Sequence, residues 1–138
     1  MQDCIFCKIV KKELPAFIFY EDEFVIGFLD INPLVEGHTL VVPKKHYESI
    51  FDIEEEVLQK IISVSQKISK RIKEALRVEG INLVNASGTA AEQSVPHFHL
   101  HIIPRRAGDE INLASWWRSK VKQIDKEKLK ELAEKLKI

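Results

Sequence analysis

The chain has 138 residues, of which 45% are hydrophobic, so it can fold as one domain with its own core. Its 21 Lys and Arg balance 21 Asp and Glu, and this zero formal charge argues against a general nucleic-acid or anionic-membrane binder. The sequence has no apolar run of membrane-spanning length and no signal-peptide pattern at its start. We therefore expect a cytoplasmic protein without nucleic-acid or membrane partners.

The two cysteines, Cys4 and Cys7, form a Cys-x-x-Cys pair almost at the start of the sequence. In a cytosolic chain this spacing is typical of a metal site or a redox pair rather than a structural disulfide. A thioredoxin-like pair usually follows a strand, and no strand is predicted here, so a metal site is favoured. Two cysteines supply only half of a zinc site, and two small buried hydrophobic residues are the alternative.

Three strands are predicted in the first third of the chain. Residues 17–20 and 24–29 are rich in aromatic and β-branched side chains and indicate a β-hairpin. A turn at residues 30–33 and the breaker Gly37 follow this hairpin. The third strand covers residues 39–43.

A long helix is predicted over residues 53–78, with Asp52 as its N-cap and Gly80 after its end. Apolar residues recur within it at helical spacing and predict one face packed on the core. These residues are Val57, Ile61, Val64, Ile68, Ile72, Ala75 and Leu76.

Two more strands, over residues 81–84 and 97–104, follow the long helix. Asp125 is the predicted N-cap of a last helix, whose inner face carries apolar residues that include Leu129 and Leu136. Hairpins and helices without regular alternation predict an α+β fold with a largely antiparallel sheet.

The fifth predicted strand carries three histidines, His97, His99 and His101, that alternate with large apolar residues. Successive side chains of a strand point to opposite faces, so the three imidazoles share one face while the apolar residues enter the core. Packing alone explains such a pattern poorly, and it indicates a functional site. Because histidine serves as nucleophile, proton carrier or metal ligand, the pattern leaves nucleophilic and metal chemistry both open.

The chain resembles the histidine triad (HIT) family in several segments that occur in the family's order. The triad fits the signature His-φ-His-φ-His-φ-φ, where φ is an apolar residue. The other similar segments are Cys4-Ile5-Phe6-Cys7-Lys8-Ile9, Phe28-Leu29-Asp30-Ile31, Gly37-His38-Thr39-Leu40-Val41-Val42-Pro43-Lys44-Lys45-His46 and Gln93-Ser94-Val95.

This resemblance covers about residues 3–106 of a single predicted domain, residues 1–138. Residues 107–138 form a C-terminal extension with the terminal helix, in which Trp116 and Trp117 have no assigned role. The resemblance implies a HIT-like fold, with an antiparallel sheet of about five strands and helices packed on it, usually as a homodimer.

The resemblance also implies hydrolysis or transfer of nucleoside monophosphates through a nucleotidyl-histidine intermediate, with His99 as the nucleophile. A neutral imidazole offers one lone pair for attack at phosphorus, and a donor bond from its other nitrogen fixes the tautomer. His101 is placed to donate to a nonbridging phosphate oxygen. Asn85 and Ser94 could add donors where negative charge builds.

Further residues match positions of relatives that bind the nucleotide or support the nucleophile. Gln93 or Ser94 would meet the leaving group, and His38 would support His99. Asp30 resembles the carboxylate that accepts both ribose hydroxyls, and a purine nucleotide is the expected substrate. The positions that match the base pocket are Ile5, Phe6, Ile9, Phe28, Ile31 and Leu40.

The family resemblance extends the metal hypothesis to a full ligand set. Some relatives carry a structural zinc on Cys-x-x-Cys and two histidines, which match Cys4, Cys7, His46 and His97 here. Two thiolates and two imidazoles would close a tetrahedral zinc site, leaving no place for a catalytic water. His97 would then belong to the metal, and only its backbone would orient His99.

Four possible functions remain to be distinguished. The leading one is a metal-independent hydrolase of adenosine 5′-phosphoramidate or a similar nucleotide adduct. A dinucleoside polyphosphate hydrolase is the second, because Gln93 and the segment from Pro104 to Asp109 look like that branch. The other two belong to different functional classes: a hydrolase with a catalytic zinc held by the triad, and a nucleotide sensor without catalysis.

Overall fold

The computed structural model describes residues 3–138, which form four α-helices, five strands and one short 3-10 turn. In chain order the elements are α1 Ile5–Val10, β1 Ile18–Glu21, β2 Val25–Leu29, β3 Thr39–Pro43, α2 Glu55–Leu76, β4 Gly80–Val84, the 3-10 turn Thr89–Ala91, β5 Leu100–Arg105, α3 Leu113–Lys120 and α4 Lys126–Lys135.

The five strands make one antiparallel sheet in the order β1-β2-β3-β5-β4. β5 therefore lies between β3 and β4, where Leu40 pairs with His101 and Thr39 pairs with Ile102. The predicted α+β architecture with five antiparallel strands and one long helix is confirmed. The central place of β5 brings the triad beside the strand that follows His38.

Apolar residues cover both faces of the sheet because successive strand residues point to opposite sides. On one face Val25, Val41 and Ile102 pack with the apolar stripe of α2. On the other face Ile26, Leu40 and their neighbours pack with two residues of α1, Phe6 and Ile9. The catalytic candidates lie on the second face.

One glycine shapes the approach to the site. Gly37 adopts a φ of +88°, a left-handed conformation that suits glycine, in the turn before β3. A Cβ atom there would lie 2.6 Å from Leu76 Cδ1 of α2. The turn can therefore pack against α2 only without a side chain, and it delivers His38 to the start of β3.

The long helix is shorter at both ends than the sequence predicted. Asp52 is not its N-cap, because its carboxylate accepts the backbone N–H groups of Glu48 at 2.9 Å and Ser49 at 2.7 Å. Glu54 is the N-cap residue instead. At the other end Arg77, with a φ of +53°, caps the helix in the left-handed conformation, before the predicted stop at Gly80.

β5 also begins later than predicted, so His97 and His99 precede the regular strand. The backbone N–H of His97 donates to Val95 at 2.8 Å, and that of Phe98 donates to the carbonyl of Tyr47 at 2.7 Å. At His97 and Phe98 these bonds take the place of the interstrand hydrogen bonds of a regular sheet. Alternation still holds, since Phe98 packs on the α2 side while the triad histidines face α1.

The sequence did not predict α1 or α3, which have six and eight residues. Asp125 caps α4 as predicted, because its side chain accepts the backbone N–H of Lys128 at 2.9 Å. The chain divides into two compact units between Ala107 and Gly108. No residue from Gly108 onward is buried, and Leu129 and Leu136, which the sequence placed on the inner face of α4, are exposed.

Among residues 3–138, no helix combines the length and apolar character that crossing a bilayer requires.

Candidate active site

His99 is almost completely buried, with 2% of its surface exposed, yet its ring reaches the wall of a cavity. Its Nδ1 lies 2.8 Å from the carbonyl oxygen of His97. Because a carbonyl only accepts, Nδ1 carries the ring proton and Nε2 keeps its lone pair. Burial lowers the pKa of His99 below its ordinary value of 6.5, which keeps this imidazole neutral near pH 7. A neutral ring with a fixed tautomer is the form that can act as a nucleophile.

A hydrogen-bond chain assigns the proton of His101 as well. The backbone N–H of Leu34 donates to His38 Nδ1 at 3.1 Å, so His38 carries its proton on Nε2. His38 Nε2 lies 2.9 Å from His101 Nδ1 and donates to it. The proton of neutral His101 therefore sits on Nε2, where it can be donated to a ligand. This ring lies beside His99, with 5.0 Å between ring centroids.

The shifted pKa values agree with these neutral tautomers. Burial, together with the neighbouring His99 and His38, lowers the pKa of His101 to about 4. Burial also lowers the pKa of His38, although the carboxylate of Asp30 opposes this effect. The Oδ2 atom of Asp30 lies 3.7 Å from His38 Nε2, which is too long for a hydrogen bond.

A largely apolar cavity of about 560 Å³ opens in front of His99 and His101. This volume lies in the range of small-molecule sites. All six residues that the family resemblance assigned to a base pocket lie on its wall, namely Ile5, Phe6, Ile9, Phe28, Ile31 and Leu40. Sequence reasoning missed other wall residues, namely Leu14, Pro15, Ala16, Leu29, Asn32 and Val95.

Polar groups of the cavity come from Asp30, Asn32 and Ser94. Asp30 follows β2 directly, and its Oδ1 accepts the backbone N–H of Asn32 at 2.8 Å, as expected of a residue that also stabilises a turn. Ser94 lies between this cavity and a second one of similar volume. The second cavity also contains Glu48 and His46.

Asn85 and Gln93, which the resemblance assigned to the nucleotide, are not among the residues that line the cavity. The amide of Asn85 donates to the carbonyl of His99 at 2.9 Å, so it holds the backbone of that residue. The amide of Gln93 accepts from Gly88 N–H and donates to the carbonyls of Glu48 and Val95. Both side chains are engaged with protein groups, which a single sequence does not reveal.

A second cluster lies behind the triad, where Cys4, Cys7, His46 and His97 converge. His97 Nδ1 lies 3.3 Å from Cys4 Sγ, 3.5 Å from Cys7 Sγ and 3.1 Å from His46 Nδ1. Sulfur and nitrogen ligands of one tetrahedral zinc ion lie roughly 3.3–3.8 Å apart, given Zn–S of about 2.3 Å and Zn–N of about 2.0 Å. The four atoms are therefore close to the spacing that zinc requires.

The proton positions in this cluster fit a metal too. His97 Nε2 lies 2.9 Å from the carbonyl of Pro43 and donates to it, so Nδ1 presents a lone pair to the cysteines. Burial lowers the pKa of His97 to about 4, which keeps this ligand neutral. Burial and the Cys4 sulfur raise the pKa of the Cys7 thiol to about 11. A bound cation would reverse that last effect by stabilising the thiolate.

Two other metal arrangements are less consistent with the structure. Asp30, His38 and His101 are also close enough to bind an ion, but a ring proton lies between the two histidines and blocks both facing nitrogens. A catalytic metal on the triad would need His97, His99 and His101 to converge. Within residues 3–138, no group of close metal-ligating atoms contains all three.

The model of the HIT domain family matches residues 11–108, which is most of the chain. An uncharacterized HIT-like protein of Borreliella burgdorferi is 45% identical over 136 residues, covering 96% of this chain and 95% of that protein. Adenosine 5′-monophosphoramidase HNT1 of Saccharomyces cerevisiae is 39% identical over 123 residues, covering 89% of this chain and 75% of the yeast protein.

A solved structure gives the same result. The Zn-bound histidine triad family protein from Mycobacterium smegmatis is 42% identical, with a TM-score of 0.78 and coverage of 81% of each chain. The expectation from the histidine pattern and its flanking segments is thereby confirmed, and the chain belongs to the HIT family.

Proposed function

We propose that the protein is a nucleotidyl hydrolase or transferase that cleaves adenosine 5′-phosphoramidate-type adducts through a covalent nucleotidyl-histidine on His99. The observation that carries this proposal is the fixed tautomer of His99, whose Nε2 lone pair belongs to a neutral ring at the wall of an apolar cavity. Similarity to the yeast monophosphoramidase supports the substrate class. Release of AMP from adenosine 5′-phosphoramidate by the wild-type protein is the direct test.

In the first step, the Nε2 lone pair of His99 forms a bond to the α-phosphorus while the bond from phosphorus to the leaving nitrogen breaks. The substrate nitrogen, protonated before cleavage, leaves as a neutral amine and takes the electron pair of the broken bond. The positive charge then resides on the nucleotidyl-imidazolium of His99. Its Nδ1–H bond to the carbonyl of His97 stabilises this charge.

In the second step, water attacks the phosphorus and the bond to Nε2 breaks, which returns the electron pair to His99. One proton passes to solvent and AMP is released. One hard displacement thus becomes two easier ones. His101 donates its Nε2–H to a nonbridging oxygen in both steps, where negative charge develops.

Two neighbours of the triad have supporting roles in this proposal. Ser94 is placed at the wall between the two cavities and serves as a donor near the leaving group. Asn85 holds the backbone of His99 and acts as a positioning residue rather than as a phosphate ligand.

Asp30 is the proposed acceptor of the ribose hydroxyls, since its half-buried carboxylate lies at the cavity. A hydrogen bond to a charged group contributes about 1.5–3 kcal/mol, so we expect the wild type to prefer AMP over 2′-deoxy-AMP by roughly tenfold or more. Asp30→Asn should lose most of that preference. Calorimetric Kd values of both nucleotides for both proteins measure it, and equal preference in the two proteins would contradict the assignment.

Acid should destabilise the fold through His101. Its pKa of about 4 lies below the ordinary value of 6.5, so the unfolded chain binds the proton at a higher pH. This contribution is fully present above about pH 6.5 and is lost as the pH falls towards 4. We expect His101→Asn to lose less unfolding free energy than the wild type between about pH 7 and about pH 5 in urea titrations. An equal loss in both proteins would refute this role of His101.

We also propose a structural zinc ion on Cys4, Cys7, His46 and His97. The observed ligand spacing and the Zn-bound relative support it. When bound, the ion supplies a cross-link between α1 and the segment before β5, and it makes no contact with the reacting atoms.

Dinucleoside polyphosphates are the alternative substrates. This alternative uses Gln93 near the leaving group, whereas the Gln93 amide is engaged with three backbone groups. We therefore favour phosphoramidates, and initial rates on both substrates, measured side by side, decide between them.

A homodimer is part of the same proposal, as the family resemblance implies. β4 lies at an edge of the sheet, and its Leu83 and Val84 side chains are exposed. An unprotected edge strand is a suitable place for a second copy to pair. Light scattering distinguishes one chain mass from two.

A further inference from the structure

Phe6 lies in α1, between the two cysteines of the metal cluster in sequence. Its ring also packs against two histidines of the triad. Its ring centroid is 5.8 Å from that of His97 and 5.2 Å from that of His99, both in edge-to-face geometry. It also packs edge-to-face on Phe28 at 5.8 Å. One buried side chain thus contacts a metal-ligand candidate, the proposed nucleophile and the nucleotide cavity.

The helix that carries Phe6 depends on tertiary contacts for its position, and its buried residues Phe6 and Ile9 supply part of them. α1 has only six residues, and a helix of that length is not stable alone in water. Its N-cap is Cys4, whose sulfur accepts the backbone N–H of Cys7 at 3.4 Å. A metal bound by both sulfurs would therefore fix the first turn of α1 against His46 and His97.

The same helix forms one wall of the nucleotide cavity through Ile5, Phe6 and Ile9. Any shift of its first turn moves this wall and changes the contact of Phe6 with His99. A second restraint on the imidazole of His99 is its Nδ1–H bond to the backbone. That bond fixes the position of the ring proton, whereas the face of the ring is held by packing against neighbouring side chains.

We propose that Phe6 is a positioning residue that couples metal binding at Cys4, Cys7, His46 and His97 to the placement of His99 and to nucleotide affinity. The affinity part of this inference depends on the proposed function, because it takes AMP as the ligand. The part that concerns His99 does not depend on it. Metal binding would then act on the reaction without contact between the metal and the substrate.

A competing route runs through the backbone, from His97 as a metal ligand to its carbonyl and on to His99 Nδ1. This route needs no aromatic ring at position 6. Substitution of Phe6 separates the two routes, provided that each variant still binds zinc.

The experiment is a cycle of zinc removal and Phe6 substitution in the full chain. Zinc-loaded and chelator-stripped forms, both kept reduced, are compared for wild type, Phe6→Leu and Phe6→Met. Ile5→Val is the matched control, because Ile5 lies on the same helix and lines the cavity but carries no aromatic ring. Calorimetry gives the Kd of AMP, and nitrogen-detected NMR gives the ring signals of His99.

We expect zinc removal to weaken AMP binding at least tenfold and to shift the His99 ring signals in the wild type and in Ile5→Val. In the two Phe6 variants, AMP binds weakly with zinc present, zinc removal changes the Kd less than threefold, and the ring signals move little. Unchanged Kd and ring signals in the stripped wild type would overturn the inference. An undiminished zinc response in both Phe6 variants would do so too, and would assign the coupling to the backbone.

Failure of the proposed function has a different signature. If the zinc-loaded wild type does not bind AMP, the nucleotide proposal is wrong, while the His99 ring signals still report whether zinc acts through Phe6. Far-UV circular dichroism and zinc content confirm that each Phe6 variant is folded and loaded.

Discussion

His99→Ala should slow AMP release from adenosine 5′-phosphoramidate by at least about 10⁴-fold, because it removes the atom that bonds to phosphorus. No neighbour can replace it. His101 presents an N–H rather than a lone pair, and His97 directs Nδ1 to the cysteines. Steady-state AMP release, measured by chromatography, gives the size of the loss.

The covalent intermediate offers a second readout of the same prediction. Rapidly quenched wild-type protein should gain the mass of one adenylyl group, and His99→Ala should not. His101→Asn is the matched control: it replaces the imidazole that donates to the phosphate with a shorter amide but leaves the nucleophile, so it slows the reaction and still forms the adduct. A His99→Ala variant that keeps more than a tenth of the wild-type rate would contradict the proposed mechanism.

Loss of zinc should produce the largest change in stability. A ligand that binds only the folded state at 1,000 times its Kd contributes about 4 kcal/mol. For a domain of this size, that corresponds to roughly 10–20 °C in Tm. We therefore expect reduced wild-type protein to contain about one zinc ion per chain, and Cys7→Ser to lose both the ion and this increment in Tm.

The control for this second prediction is His101→Asn, which lies outside the metal cluster and should keep the wild-type zinc content. Elemental analysis and differential scanning calorimetry of the three proteins supply the data. Undamaged, reduced wild-type protein that contains no metal would contradict the zinc site. A Cys7→Ser variant with the same Tm as the wild type would show that the ion contributes nothing to stability.

The sheet was predictable because its strands follow simple patterns. Residues 24–29 and 39–43 carry long apolar runs between breakers, and their bounds differ from β2 and β3 by one residue at most. The ends of α2 were less predictable. Asp52 is the favoured type of N-cap residue, but a local turn engages its carboxylate with the N–H groups of Glu48 and Ser49. The helix therefore starts after Glu54, whose side chain makes no cap hydrogen bond.

The site shows where local pattern stops being informative. Alternation placed the triad on one face, but it did not show that His97 turns its Nδ1 to the cysteines while its carbonyl serves His99. Asn85 and Gln93 have the right residue types for nucleotide donors. Their amides donate to the carbonyls of His99 and Glu48, which lie distant in sequence, and these bonds depend on the folded loops.

The three hydrogen bonds of Gln93 have a consequence for how ligands enter. They close the segment from Gly88 to Val95 on itself and tie it to Glu48, with distances of 2.6–2.9 Å. Ser94, which this segment carries, is therefore ordered before any nucleotide arrives, and little conformational entropy is lost on association. Differences in affinity between good and poor ligands should then arise mainly from how fast they dissociate.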